Sequence, residues 1–200
     1  MAVITAAQVK ELRAKSGAGI MDCKRALVEA GGDMAAAEIA LRKRGIAIAE
    51  KKSGRAADEG VIGSYIHAGS KLGVLVEVNC ESDFVARTHD FRQLVKDIAM
   101  QIAAADPQYI TREQVPDEVV EKERQIQRER ALAEGKPAFI VDRIVDGRMG
   151  KFYEEIVLVD QPFVKEPAKS VGELLRDAIA RLGENMAIRR FQRFKVGEGS

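Results

Sequence analysis

The sequence predicts an α+β protein, in which an amino-terminal three-helix module precedes an α+β core with a small antiparallel sheet packed on helices. Two observations lead to this fold class. Apolar residues recur at helical spacing, between glycines, over residues 1–52. Residues 60–67 and 72–80 are instead rich in β-branched and apolar side chains, which is typical of strands. We therefore predict two domains, the module at 1–52 and the core at 53–200.

The first two helices are delimited by a cap and by glycines. Thr5-Ala-Ala-Gln8 has the form of a capping box, which predicts the start of the first helix. Gly17-Ala-Gly19 ends that helix, because glycine favours the backbone conformations of turns. The second helix ends at Gly31-Gly32. Its apolar face has three- and four-residue spacing and consists of Ile20, Cys23, Leu27 and Ala30.

A third helix follows the glycine pair and completes the module. Asp33 is a favoured N-cap residue for it. Its apolar positions are Met34, Ala37 and Leu41. Lys51-Lys-Ser-Gly-Arg55 is predicted to be the linker to the second domain.

The core is predicted to begin with an antiparallel hairpin. The turn at 68–71, Ala-Gly-Ser-Lys, separates the two strand-like segments. We expect residues 186–196 to form a final strand that pairs with this hairpin.

Helices make up the rest of the predicted core. A long helix that ends at Pro107 has one apolar face, formed by Phe91, Leu94, Val95, Ile98 and Ile102. Residues 117–135 are highly charged and predict an exposed helix, whereas 139–145 and 152–159 could be helical or mixed. Ser170-Val-Gly-Glu173 is another capping box, which predicts a last helix.

Composition indicates a globular protein without a membrane span. Hydrophobic residues make up 46% of the chain, but the apolar stretches are short and interrupted by charges. The amino end lacks the features of a signal peptide, so we expect a cytoplasmic protein that contacts no membrane. The two cysteines, Cys23 and Cys80, form no CxxC pair, which argues against a disulfide framework or a zinc site.

The net charge of +1 is unevenly distributed. Residues 1–55 contain 11 Lys/Arg and 6 Asp/Glu, whereas residues 56–185 contain 17 Lys/Arg and 24 Asp/Glu. The basic amino-terminal block suits an acidic partner surface, although an ordinary solvated surface would have the same composition.

We recognise no motif for catalysis or for cofactor binding. The phosphate-binding patterns GxxxxGK[ST] and GxGxxG are both missing from the sequence. Cys80 and His67 could form a nucleophile–base pair, but a small apolar residue at a strand end and a turn histidine explain them more simply. We therefore predict no enzyme activity, no catalytic residue, no cofactor and no metal site.

The carboxy-terminal segment alternates basic and aromatic residues, as some nucleic-acid-binding strands do. Arg189, Arg190 and Arg193 would lead RNA binding in that interpretation. Phe191 and Phe194 fall on opposite faces of a strand, however, and the net charge of the chain is close to zero. We favour an amphipathic edge strand without direct contact to nucleic acid.

The segment Asn79-Cys-Glu-Ser-Asp-Phe-Val-Ala86 joins a predicted strand to a helix. Ser82 or Asp83 could cap that helix. Phe84 lies at or near the cap, where a large ring has little core to reach. The ring is therefore either an exposed wedge for the pocket of a partner or a staple onto the following turn, and local physics does not decide between them.

Three motifs in this order resemble those of bacterial elongation factor Ts. Residues 12–27, Leu-Arg-Ala-Lys-Ser-Gly-Ala-Gly-Ile-Met-Asp-Cys-Lys-Arg-Ala-Leu, are similar to its amino-terminal signature. Residues 76–86, Val-Glu-Val-Asn-Cys-Glu-Ser-Asp-Phe-Val-Ala, are similar to its core signature. Arg189-Arg-Phe191 with Gly197-Glu-Gly199 resembles its usual ending. The resemblance covers nearly the whole chain.

The resemblance implies a ubiquitin-associated-like module, a dimerisation core and a role as guanine nucleotide exchange factor for the GTPase elongation factor Tu. It implies that Asp83 and Phe84, with Ser82 beside them, insert near the magnesium site of that GTPase. It also implies that the module grips the nucleotide domain through four residues, Leu12, Arg13, Ile20 and Met21. An RNA-binding module associated with translation is the alternative function.

The sequence departs from the family pattern in two respects. Ser82 stands where the family often has threonine, and both residues can cap a helix. The chain also looks too short for the duplicated core and coiled-coil insertion of longer relatives. Short members of this kind are expected to form homodimers, with a partner GTPase on each side.

Overall fold

The computed structural model describes residues 4–198 and has mixed helices and strands. Its α+β class, with a small antiparallel sheet packed on helices, confirms the predicted fold class. The helices and strands, with two short 3₁₀ turns at Arg112–Gln114 and Leu158–Asp160, are α1 Ala6–Ser16, α2 Ile20–Glu29, α3 Met34–Lys52, β1 Glu59–Ile66, β2 Leu72–Cys80, α4 Asp83–Ala86, α5 His89–Ala105, α6 Asp117–Ala133, α7 Ala138–Ile156, β3 Pro162–Phe163, β4 Glu166–Ser170, α8 Val171–Leu182 and β5 Met186–Lys195.

The amino-terminal caps confirm the predicted helix boundaries. The backbone N–H of Gln8 donates to Thr5 Oγ1 at 3.3 Å, and the Thr5 N–H donates to Gln8 Oε1 at 2.9 Å. Gly17 ends α1 with a φ of 67°, a conformation that glycine adopts without strain. The three helices enclose one apolar cluster of buried side chains, which consists of Leu12, Cys23, Ala26, Leu27, Ala37 and Leu41.

Helix α3 is longer than the sequence predicted. It begins after Asp33, whose carboxylate accepts a hydrogen bond from the Ala36 N–H at 3.0 Å. It then continues through Lys52, so the predicted linker at Lys51–Arg55 is helical over its first two residues. The two lysines are tolerated there because positive charge in the last turn complements the helix dipole.

The described residues divide into two compact units. The first contains residues 4–61, 78–95 and 174–187, and the second contains 62–77, 96–173 and 188–198. The domain boundary after residue 52 stays a prediction.

Strand β5 lies beside β2, in the order β1-β2-β5, which confirms the pairing that the sequence predicted. β1 and β2 form the expected hairpin, and the His67 N–H donates to the Leu72 carbonyl at 2.8 Å across its turn. Gly60 allows close approach of the chain, because a Cβ there would lie 2.2 Å from the Val78 carbonyl oxygen. β3 pairs with β4 in a separate antiparallel ribbon.

Helices α5 and α8 agree with their sequence patterns. The predicted apolar face of α5 is buried at all five positions: Phe91, Leu94, Val95, Ile98 and Ile102. The capping box of α8 is formed as well. Its Ser170 N–H donates to Glu173 Oε2 at 3.0 Å, and the Glu173 N–H donates to Ser170 Oγ at 3.1 Å.

Helices α6 and α7 pair as a helical hairpin in the second unit. α6 is the charged, exposed helix that the sequence predicted, and the ambiguous segment at 139–145 is helical. The seam between them is a narrow apolar cluster of Ala131, Val141, Val145 and Met149. Arg124–Asp146 at 2.8 Å and Arg148–Glu134 at 2.7 Å flank that seam. The expectation from chain length, that the duplicated core and the coiled-coil insertion of longer relatives are missing, stays a prediction.

Candidate partner-binding site

The candidate site is the corner at which β2 ends and the short helix α4 begins. Ser82 is the N-cap of α4, and its hydroxyl accepts a hydrogen bond from the Val85 N–H at 3.4 Å. The Ala86 N–H donates to the Ser82 carbonyl at 3.2 Å. Of the two capping candidates in the sequence, the structure therefore assigns the cap to Ser82 and the first helical position to Asp83.

Phe84 projects from this corner with 78% of its surface exposed. Its exposure rules out the alternative in which the ring is a staple packed on the following turn. α4 has four residues, and Ala86 is the one that it buries. A ring at the second position of so short a helix lies outside the core.

Asp83 places a negative charge beside the ring. Its carboxylate forms an ion pair with Arg87 at 2.7 Å, one helical turn further along, and its side chain is 43% exposed. The carboxylate is therefore available to solvent or to a partner.

Glu184 holds the corner from the turn that follows α8. The Ser82 N–H donates to Glu184 Oε2 at 3.0 Å, and the Ser82 hydroxyl donates to Glu184 Oε1 at 2.6 Å. Both carboxylate oxygens are thus used on one residue, and hydrogen bonds to a charged acceptor are the stronger kind. Sequence reasoning missed Glu184, because it lies 102 residues from Ser82 and no local pattern relates the two.

Asn185 and Glu81 make a second link between the same two segments. The Asn185 N–H donates to Glu81 Oε1 at 2.6 Å. This hydrogen bond is the main cause of a lowered pKa for the Glu81 carboxyl; partial burial opposes the shift, and a hydrogen bond from Arg55 adds to it. Asn185 is buried, and its side-chain amide donates to the Arg55 carbonyl at 2.7 Å. This residue was also missing from the sequence analysis.

A second candidate surface lies on the three-helix module, which belongs to the same compact unit as the corner. Ile20 and Met21 are 54% and 71% exposed, and Arg13 is exposed as well. Leu12 is wrong as a contact residue, since it has no exposed surface. Its side chain fills the centre of the module, so in the signature motif it serves the core and not the surface.

Comparison with known proteins gives the family. The family model described as elongation factor Ts matches residues 32–198. This chain belongs to the elongation factor Ts family. It is 62% identical to the elongation factor Ts of Solibacter usitatus over 198 residues, covering 99% of this chain and 93% of that protein. Proteins of the same name from Carboxydothermus hydrogenoformans and Geobacter sulfurreducens are 58% and 59% identical, each over 98% of this chain and 91% of their own length.

The structure gives no support to a thiol nucleophile in this member of the elongation factor Ts family. Cys80 is buried and donates to the Ser82 carbonyl at 3.2 Å. Burial raises the pKa of the Cys80 thiol, and the negative charge of Glu184 raises it further. His67 has its own partner, with 3.0 Å between its Nδ1 and the Tyr65 hydroxyl.

The basic carboxy-terminal strand engages acidic side chains of its own unit. Arg190 pairs with Glu77 at 2.7 Å. Arg193 lies 3.0 Å from Glu198 and 3.3 Å from Asp106. Charges that are already paired attract phosphate less strongly. These ion pairs therefore do not support the RNA-binding alternative.

Two kinds of feature are absent from residues 4–198. Within that range, no cluster of three or more His, Cys, Asp or Glu is arranged to hold a metal ion. The helices of the same range include none with the length and apolar character needed to cross a bilayer.

Proposed function

We propose that the protein is a guanine nucleotide exchange factor for the translation GTPase elongation factor Tu, and that it promotes GDP release by disturbing the magnesium and phosphate site of that GTPase. Membership of the elongation factor Ts family supports this role. The observation that carries it is the exposed Phe84 ring on a hydrogen-bonded corner. The factor performs no chemistry of its own and works in the cytoplasm, where translation occurs.

Exchange requires a difference in affinity and no reaction. A GTPase holds its nucleotide tightly because the phosphates and the magnesium ion are well coordinated. A factor that binds the nucleotide-free form better than the loaded form weakens that grip. By linkage, nucleotide weakens the binding of the factor by the same ratio, so that either nucleotide can later displace it.

The corner has the shape and charge to act as a wedge. An aromatic ring that is free of its own core can enter a pocket of a partner and bury apolar area there. Asp83 would follow the ring into the same region. Its negative charge, or a hydrogen bond to backbone N–H groups, would disfavour the geometry in which the GTPase holds its metal.

The three-helix module is the anchor in this proposal. Ile20 and Met21 provide exposed apolar surface, and Arg13 adds positive charge to the same module. Because the anchor and the corner belong to one compact unit, binding through the module would also deliver the ring.

The test is to mix the protein with elongation factor Tu loaded with labelled GDP, and to time GDP release by stopped flow. We expect release to accelerate with factor concentration and to saturate. Release at the spontaneous rate, at every concentration of the factor, would contradict the proposed function.

We also propose that the protein is a homodimer. In the second unit, the strands expose four large apolar residues where a monomer would present polar ones: Ile62, Ile66, Leu75 and Phe194. Several large apolar residues exposed on the strands of one unit are typical of an interface.

Sedimentation equilibrium tests the dimer. We expect twice the monomer mass for the wild type, and a shift toward monomer for Leu75→Glu, because a buried unpaired carboxylate would destabilise the interface. Lys169→Glu, a charge change on strand β4 of the same unit, is the control and should leave the mass unchanged. A monomeric wild type at all concentrations would rule the dimer out.

A further inference from the structure

Helix α4, which carries Phe84, is too short to be stable by itself. Forming the first turn of a helix orders several backbone dihedrals for one hydrogen bond, so a four-residue helix such as α4 is unfavourable in isolation. The Phe84 ring is 78% exposed and therefore has little packing of its own to fix its direction. Its aim depends on whatever holds the backbone at residues 82–86.

Glu184 selects the capping geometry of Ser82. A hydroxyl has one hydrogen to donate, and Ser82 donates it to Glu184 Oε1 at 2.6 Å. With that hydrogen committed, a lone pair of the same oxygen accepts from the Val85 N–H. The Ser82 N–H is also bound to the carboxylate, so the rotation of the cap residue is restrained at two atoms.

The turn that carries Glu184 is itself held by the chain that follows α3. The Lys52 ammonium donates to the Gly183 carbonyl. The Asn185 amide donates to the carbonyls of Ser53 and Arg55. Residues 52–55, 81–82 and 183–185 therefore form one network within the first unit. Because these hydrogen bonds hold the turn in place, Glu184 can restrain the backbone at Ser82.

We propose that Glu184 is a positioning residue that holds the Phe84 ring in the direction needed for nucleotide release. This role rests on the proposed function, because it assumes that the Phe84 ring enters the GTPase during nucleotide exchange. Glu184 acts through Ser82 and need not touch the partner. Restraining the ring before encounter lowers the entropy that must be lost in the complex, which is the general advantage of preorganisation.

A fluorescence experiment tests the restraint without any GTPase. The sequence contains no tryptophan, so Phe84→Trp places a single selective reporter at the tip of the corner. We expect Glu184→Ala in that background to lower the steady-state anisotropy of the introduced tryptophan, because the side chain then moves more freely. Unchanged anisotropy in the variant would overturn the proposal.

Glu173→Ala is the matched control. Glu173 also uses a carboxylate oxygen to accept from the N–H of a serine at a helix start, at the same 3.0 Å. Glu173 belongs to the second unit, whereas Ser82 and Glu184 belong to the first. We expect the thermal midpoints of the two variants to fall by similar amounts, and the anisotropy of the tryptophan reporter to stay unchanged in the control.

The exchange assay tests the consequence for function. Glu184→Ala should lower the saturating rate of GDP release by about tenfold, with a smaller change in the factor concentration that gives half of that rate. Glu184→Gln should be intermediate, because its amide oxygen can still accept one hydrogen bond. Ser82→Thr keeps the backbone N–H and the hydroxyl, and should match the wild type.

The outcomes separate this proposal from the proposed function. If Glu184→Ala and Glu173→Ala slow release equally, Glu184 has a purely structural role and the proposal fails. If Phe84→Ala abolishes stimulation while Glu184→Ala matches the wild type, the positioning role fails and the exchange function stands. If Phe84→Ala has no effect on release, the wedge fails, and with it the need to aim the ring.

Discussion

The two most exposed phenylalanines among the described residues, Phe84 and Phe139, stand in the same local position. Phe84 is the second residue of α4 and Phe139 is the second residue of α7, with 78% and 88% of their surfaces exposed. The cap of α4 is a serine hydroxyl fixed by a distant carboxylate. The cap of α7 is Pro137, which makes no side-chain hydrogen bond.

The difference teaches that exposure alone does not define a candidate site. Scattered apolar residues at a surface are normal. What distinguishes the corner is that it is held by hydrogen bonds between carboxylates and backbone N–H groups more than a hundred positions apart in sequence. The helical hairpin is instead flanked by ion pairs between exposed side chains. A restrained ring can be directed at a partner, and an unrestrained one only adds apolar area.

The largest effect is expected from the two phenylalanines themselves. Phe84→Ala should slow saturating GDP release by roughly 30-fold, the scale of a central interface aromatic. Phe139→Ala removes a ring of greater exposure and should stay within about twofold of the wild type. Stopped flow with labelled GDP measures both. Equal effects of the two variants would remove the distinction between the corner and the hairpin.

A smaller and different effect is expected on the module. Met21→Ala should raise the half-saturating concentration of the factor by about fivefold, through lost apolar contact, while the saturating rate is kept. Leu12→Ala should instead destabilise the fold by about 3 kcal/mol, because its side chain is fully buried. Titration of the exchange rate and thermal melting separate the two. If Met21→Ala changed the saturating rate, the module would affect nucleotide release as well as binding, and the separate roles of module and corner would be contradicted.

The smallest effect concerns acid stability. The pKa of Glu81 is lowered chiefly by the Asn185 N–H, and the pKa of Glu134 in the hairpin is lowered chiefly by its hydrogen bond with Arg148. Because the pKa of each carboxyl is lower in the folded protein than its ordinary value of 4.5, each ionised carboxylate stabilises the fold at pH values above 4.5. That contribution is lost as the pH falls below 4.5 and through the folded value.

Glu81→Gln and Glu134→Gln should each lower the thermal midpoint at neutral pH, and the difference from the wild type should shrink in acid. Added salt should reduce the effect of Glu134→Gln more than that of Glu81→Gln, because salt screens an exposed ion pair more than a hydrogen bond to a backbone N–H. Melting curves across pH and ionic strength measure this. Identical salt dependence for the two variants would show that the corner is held no differently from the hairpin.

Local patterns predicted the elements that depend on neighbours in sequence. The capping boxes at Thr5 and Ser170 form as expected, since each needs only residues three apart. The buried face of α5 follows from its spacing. The first-unit signature motif was harder to interpret. Leu12 and Met21 both belong to it, and helical geometry sends one inward and the other outward.

By itself, the sequence determined the fold class, the caps, the hairpin of β1 and β2, and the motifs that place the chain in the elongation factor Ts family. The tertiary structure decided three other matters: that Phe84 is exposed, that Leu12 is buried, and that Glu184 and Asn185 hold the corner. The physical reason is range. Capping and periodicity act within a few residues, whereas burial and the charged links to Ser82 and Glu81 exist only once distant segments have been brought together.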